Sequence, residues 1–266
     1  MSSLHDRLAV ANQEHRASLI GYFPAGFPTV EQSIDLIAAM VRGGVDIVEI
    51  GLPYSDPLMD GPVIQRAAET ALAGGVRIHD VFRVVSAISA TGAPTLVMSY
   101  WNPIERYGVH QFASDLAAAG GVGVITPDLT PEEGSAWLAA CASAAVHTVF
   151  LVAPTSTPER LAIVANATSG FVYAASLMGV TGARTAISNT AEALVARTRT
   201  VTNLPIAVGL GVSTPEQVTD IARYADGVIV GSAFVKAALE APNHETAVAN
   251  VEALARSLAA GLLRHP

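Results

Sequence analysis

Two carboxylates near the start of this chain suggest what chemistry it could perform. The run Val45-Asp46-Ile47-Val48-Glu49-Ile50-Gly51 sets Glu49 among apolar neighbours. Burial there would disfavour the charged carboxylate and raise its pKa. A carboxyl so tuned can give and take protons near neutral pH. The structural alternative is a glutamate neutralised by a buried arginine, because ion pairs inside proteins also perturb carboxyls. The next segment, Gly51-Leu52-Pro53-Tyr54-Ser55-Asp56-Pro57-Leu58-Met59-Asp60-Gly61-Pro62, mixes aspartates with prolines and glycines, which suits a shaped loop over a site. Turn capping is the ordinary role of an aspartate in such a loop. Neither Asp56 nor Asp60 carries a catalytic role on this pattern alone.

Glycines near the C-terminus supply a second kind of chemistry. Val208-Gly209-Leu210-Gly211-Val212-Ser213 and Val230-Gly231-Ser232-Ala233 each follow an apolar run, and the second opens a helical stretch. Backbone N–H groups at such turns, with the positive end of a short helix, form a common phosphate cradle. A third loop, Gly179-Val180-Thr181-Gly182-Ala183-Arg184, is placed to close over a ligand. Thr214 stands where a dinucleotide fingerprint needs its third glycine, so that reading of Gly209-Leu210-Gly211 fails. The single lysine, Lys236, falls on a helix rather than at a strand end, which argues against Schiff-base catalysis. His5, His15, His79, His110, His147, His244 and His265 are scattered without metal-ligand spacing, so no catalytic metal is expected. Proton transfer on a small phosphate ester is the chemistry that remains.

The elements that must hold these residues alternate regularly. Strands are predicted at 19–23, 46–50, 95–98, 122–126, 148–152, 171–174, 206–208 and 227–230, with amphipathic segments between them. Thr29–Val41 places Ile34, Ile37, Ala38 and Val41 on one helical face, and Asp80–Ile88 does the same with Val81, Val84, Val85 and Ile88. Thr-Pro-Glu at Thr130, Thr157 and Thr214 predicts three helix starts, each with a cap, a proline in the first turn and an acid behind it. Thr130 with Glu133, and Thr214 with Gln217, complete capping boxes. Eight strand–helix alternations whose strands read as apolar runs imply a parallel sheet covered on both faces. An open doubly wound sheet is the alternative. The number of repeats and the failed dinucleotide motif favour an α/β fold closed as a (β/α)8 TIM barrel, one domain over residues 1–266. Polar residues at the carboxyl ends of its strands would then form the site.

Composition narrows the setting. Apolar residues make up 51% of the 266 and charged ones 14%, enough apolar material for a large core. A net charge of −8 argues against a broad basic surface for nucleic acid or anionic lipid. One cysteine, Cys141, excludes an internal disulfide framework and fits a reducing compartment. No signal peptide or membrane-length apolar run is read, so a soluble cytoplasmic protein is expected.

Several stretches resemble one known family in order along nearly the whole chain. Gly21-Tyr22-Phe23-Pro24-Ala25-Gly26-Phe27-Pro28 is similar to the first strand and loop of tryptophan synthase alpha subunits. The run from Glu49 through Asp60 to Gln65 resembles that family's most characteristic segment. Met98-Ser99-Tyr100-Trp101-Asn102-Pro103, Pro127-Asp128-Leu129, Ala153-Pro154-Thr155, Gly179-Val180-Thr181-Gly182, Gly209-Leu210-Gly211-Val212-Ser213 and Gly231-Ser232 match as well. The resemblance implies retro-aldol cleavage of indole-3-glycerol phosphate to indole and glyceraldehyde 3-phosphate, within L-tryptophan biosynthesis. It makes Glu49 the general acid and base and Asp60 the acceptor of the indole N–H. Tyr173 would line the site beside Glu49, and Tyr22, Met98 and Pro127 or its neighbours would line the indole pocket. Thr181 would help position Asp60, and Gly182, Gly211, Gly231 and Ser232 would bind phosphate. No cofactor is implied in this chain. The implied partner is a beta subunit carrying pyridoxal phosphate, in an alpha2-beta2 heterotetramer. Tyr54 and Leu210 stand where the family usually has phenylalanine, and Met59 where a small residue is usual, which bears on pocket shape and loop packing. A stand-alone indole-releasing lyase and a non-catalytic, phosphate-binding regulator are the competing readings; intact Glu49 and Asp60 count against the second.

Overall fold

A computed structural model describes residues 3–175, 184–209 and 211–264. Among them nine strand segments form one parallel sheet: β1 (Ser18–Pro24), β2 (Ile47–Gly51), β3 (Thr95–Met98), β4 (Gly123–Ile125), β5 (His147–Val149), β6 (Leu151–Val152), β7 (Val172–Ala175), β8 (Ile206–Gly209) and β9 (Gly227–Val230). Their order is β5-β4-β3-β2-β1-β9-β8-β7-β6. The two ends of that order, β5 and β6, are separated in the chain only by Phe150, so the sheet closes on itself as a (β/α)8 barrel. The predicted fifth strand is thus two segments. It changes partner at Phe150: β5 pairs with β4, whereas β6 pairs with β7, and the Phe150 carbonyl already accepts the Tyr173 N–H at 3.2 Å.

Alternation along each strand divides the apolar residues into two cores. Ile20, Ile47, Leu96, Ile125, Val149, Phe171, Ala207 and Ile229 point into the barrel and pack with Leu4 and Leu8 of the first helix, Leu4–Gln13. Leu4 lies against Gly170, just before β7, so this helix seals the amino-terminal end. Leu19, Val48, Ile50, Val97, Val124, Val172, Val208 and Val228 point outward beneath the helices. Strands buried on both faces read as continuous apolar runs. At the same amino-terminal end, the buried Asp46 accepts both Arg16 guanidinium N–H groups (2.6 and 2.9 Å) and the Leu19 N–H (2.9 Å), tying β1 to β2.

Two helix expectations need correction. The helix Val30–Arg42 forms with Thr29 as its cap, but its most buried face is Ser33, Leu36, Ile37 and Met40; Ile34, Ala38 and Val41 are only half-buried. It packs between the barrel and the helices Ile78–Ser89 and His244–Ala259, so more than one side meets neighbours. Thr157 and Thr214 cap helices as predicted, at Pro158–Ala167 and Pro215–Ala222, and Thr214 with Gln217 completes the capping box. Thr130 does not start a helix. Its hydroxyl bonds the Glu133 carboxylate at 3.1 Å within a turn, and the helix begins later, at Ser135–Ser143. The helix Ile78–Ser89 does bury Val81, Val84, Val85 and Ile88. No helix among the described residues is long and apolar enough to cross a membrane.

Candidate active site

Strand register brings Glu49 into the barrel mouth. Glu49 of β2 lies opposite Tyr22 of β1 on one side and Leu96 of β3 on the other. Two residues after the inward-facing Ile47, it faces the same interior. Its side chain is 1% exposed, and neither carboxylate oxygen has a hydrogen-bond partner among the described residues. The neutralising arginine that the sequence left open is therefore not found there. Burial alone pushes the Glu49 carboxyl up to about 8, because no donor offsets the loss of water around its charge.

Glu49 lines a cavity of about 340 Å³ at the carboxyl ends of the strands, together with Tyr22, Met98 and Tyr173. The two phenols are held well above the usual tyrosine range by burial, with nearby negative charge adding to the shift. Both stay protonated and present ring faces and hydroxyls rather than bases. Glycines make room for these rings. A Cβ on Gly51 would stand 2.2 Å from the Tyr22 hydroxyl, and one on Gly209 would stand 2.3 Å from that of Tyr173. Gly51 and Gly209 therefore matter for close approach, which the sequence showed only as strand-end glycines.

The loop from β2 to the helix Pro62–Ala73 brings Asp60 to the same cavity with Met59, Gly61 and Ile64. Asp60 is half-buried; desolvation raises its pKa and a hydrogen bond from Tyr100 opposes that rise. Asp56 is exposed, bonded by the Ser55 hydroxyl, and does not line the cavity. The structure thus separates two aspartates that the sequence left equivalent. Tyr100 is the residue that sequence reasoning missed. It is 5% exposed; its hydroxyl accepts the Met59 N–H at 2.9 Å and donates to Asp60 Oδ1 at 3.2 Å. Its position just beyond β3, at a strand's carboxyl end, was the available signal.

The cavity is also lined by Gly211, Gly231 and Ser232, just beyond the ends of β8 and β9. Gly211 has φ +79°, a conformation that side chains disfavour. Gly231 caps the helix Ser232–Leu239, which follows directly on β9. Thr181, Gly182 and Leu210 lie outside the described residues. Pro127 does not line the cavity; its neighbour Asp128 instead accepts the Trp101 N–H at 2.9 and 3.1 Å, at the start of the helix Trp101–Tyr107. Lys236 is exposed and lies 3.7 Å from Glu240 on an outer helix. A carboxyl poised near neutrality, a second carboxyl lining the same largely apolar cavity, and glycine-bearing turns beside them suit acid–base chemistry on a small phosphate ester.

Comparison with known proteins shows the family and the fold. A family model described as tryptophan synthase alpha chain matches residues 8–262. A tryptophan synthase alpha chain from Thermobifida fusca is 57% identical over 98% of both chains, and one from Nocardia farcinica is 59% identical over 90% of both. The chain belongs to the tryptophan synthase alpha chain family. Among solved structures, tryptophan synthase of Mycobacterium tuberculosis superimposes with a TM-score of 0.91 at 51% identity over all of both chains. Tryptophan synthase subunit alpha of Legionella pneumophila gives 0.89 at 32% identity over 98% of both. The fold is thus kept while two thirds of the sequence changes, and the chain is a lyase of the tryptophan synthase alpha type. Two departures from the usual alpha-chain pattern now have places. The Tyr54 hydroxyl accepts the Asn102 side-chain N–H at 2.9 Å, a bond phenylalanine cannot make, and Met59 lies at the exposed edge of the cavity.

Proposed function

We propose that this chain cleaves indole-3-glycerol phosphate into indole and glyceraldehyde 3-phosphate, with Glu49 as proton shuttle and Asp60 as its charged counterpart. The observation that carries the reading is Glu49 itself: buried, unpaired among the described residues and raised to about 8. The protonated Glu49 would deliver its proton to indole C3, leaving positive charge on the ring. Asp60 would accept the indole N–H and stabilise that charge, which needs no metal or Schiff base. Glu49, now a carboxylate, would take the proton from the glyceryl hydroxyl next to the ring. The carbon–carbon bond to C3 then breaks, its electrons restore the indole, and the hydroxyl carbon becomes the aldehyde. One proton has moved from oxygen to carbon, and Glu49 ends as it began. Tyr22, Met98 and Tyr173 would pack on the ring. Gly211, Gly231 and Ser232 would hold the phosphate with Gly182, and Thr181 would help to place Asp60.

We read the whole chain, residues 1–266, as one barrel domain working in the cytoplasm without a cofactor of its own, nucleic acid or membrane. Its partner would be a tryptophan synthase beta subunit in an alpha2-beta2 assembly. Pyridoxal phosphate would belong to that partner; in this chain the one lysine, Lys236, lies on an outer helix and does not line the cavity. The isolated chain, given indole-3-glycerol phosphate, should release indole slowly, and adding beta subunit should raise turnover more than affinity. Chemical assay of indole over time tests both statements. No indole under either condition would overturn the assignment, and turnover unaffected by a beta subunit that binds would favour the stand-alone lyase.

A further inference from the structure

We propose that Tyr100 is a positioning residue for Asp60, its hydroxyl fixing both the backbone and the carboxylate of the loop at the point where it meets the cavity. The inference rests on the catalytic reading of Asp60 given above. The hydroxyl has one hydrogen and uses it on Asp60 Oδ1 at 3.2 Å, while it accepts the Met59 N–H at 2.9 Å. Adjacent residues of the loop are thus pinned by one atom, which sets the position of the peptide and the rotation of the carboxylate together. Among the described residues Oδ2 has no hydrogen-bond partner, which suits it to accept a substrate N–H.

Tyr100 does not line the cavity. Its direct contacts with the cavity run through the two loop residues it holds, Met59 and Asp60. Its own placement is rigid: the side chain is 5% exposed, its ring centroid is 5.4 Å from that of Tyr54, and the next residue, Trp101, is held through its N–H by the Asp128 carboxylate. The loop has two further side-chain ties, neither to the Asp60 carboxylate: Gln65 Nε2 donates to the Asp60 carbonyl at 2.8 Å, and Asn102 donates to the Tyr54 hydroxyl at 2.9 Å. Electrostatics adds a separate consequence. The Tyr100 hydrogen bond favours the ionised form of Asp60 against the desolvation that raises its pKa.

The test is a double-substitution cycle on the full chain, with indole release from indole-3-glycerol phosphate measured across pH. Tyr100→Phe keeps the ring and removes only the hydroxyl. It should lower kcat by about 10- to 100-fold, with KM changed much less, since a charge-assisted bond and a small misplacement each carry effects of this size. The acidic limb of kcat/KM should move to higher pH, because Asp60 loses the donor that favours its charge; a merely structural role would not move it. In the Asp60→Asn background, Tyr100→Phe should cost less than about 3-fold, because the group it acts through is already altered. Tyr54→Phe, which cuts the tie to Asn102, should stay within about 3-fold of wild type with an unmoved limb. An equal loss from Tyr100→Phe in both backgrounds would overturn the proposal, as would the same loss and limb shift from Tyr54→Phe. Near wild-type turnover in Asp60→Asn alone would instead overturn the reading of Asp60, and that is seen before any Tyr100 variant is compared.

Discussion

Glutamine at position 49 keeps the shape of the side chain but cannot carry a proton. Glu49→Gln should therefore lower indole release by about 10²- to 10⁴-fold, the usual contribution of a positioned acid–base group. Affinity for glycerol phosphate, measured by calorimetry, should stay near that of wild type. Turnover within a few-fold of wild type would remove the shuttle role. The pH dependence follows from the two carboxyls. The first step needs Glu49 protonated, so kcat/KM should fall as pH rises through about 8. Asp60 must be ionised, so activity should also fall as pH drops through its raised pKa. A profile without an alkaline limb in Glu49's range would contradict the proton donor. Much at this scale was legible in the sequence, because a carboxylate inside an apolar strand announces its own desolvation. Asp60 needed the family resemblance, since an aspartate in a turn-rich loop has an ordinary capping role. Tyr100 was missed for a related reason: its importance lies in a bond to a residue forty positions away, which no local pattern records.

Elements decide how closely a ligand can approach. At the rim, Gly211 sits at φ +79°, and a Cβ on Gly231 would come within 3.1 Å of the Tyr22 ring. Gly211→Val should distort its turn and Gly231→Val should crowd Tyr22, and both should weaken glycerol phosphate binding. Calorimetric affinities test this, with circular dichroism to confirm the fold; unchanged affinity in both variants would place the phosphate elsewhere. Element boundaries came from the sequence where side-chain chemistry was local. Thr157 and Thr214 mark helix starts because their hydroxyls accept backbone N–H groups three residues on. Thr130 has the same signature, yet its hydroxyl went to Glu133's carboxylate rather than to a backbone N–H. The partner change at Phe150 was invisible as well, because it follows from where the barrel closes and not from any property of that residue.

For the molecule as a whole, the site and the stability of the barrel draw on the same packing. Ile47 and Glu49 sit two residues apart on the interior face of β2, so the core that Leu4 seals from below is also what strips water from the carboxyl. That carries a stability consequence with a definite sign. Glu49 ionises near its ordinary 4.5 when unfolded and at about 8 when folded. Between those values the folded chain holds a proton that the unfolded chain has lost. Stability from this group is therefore fully present below about pH 4.5 and is lost as pH rises through 8, by about 1.4 kcal/mol per pH unit. Glu49→Gln has nothing to ionise and should escape that loss, while every other titrating group is common to both proteins and cancels in the difference. Urea midpoints of the two proteins at pH 5, 7 and 8.5 measure it. The advantage of Glu49→Gln should grow from pH 5 to about 8 and then level off. A difference independent of pH would mean that folding leaves the Glu49 pKa unmoved, and the carboxyl would then be ionised at neutral pH with no proton to give to indole.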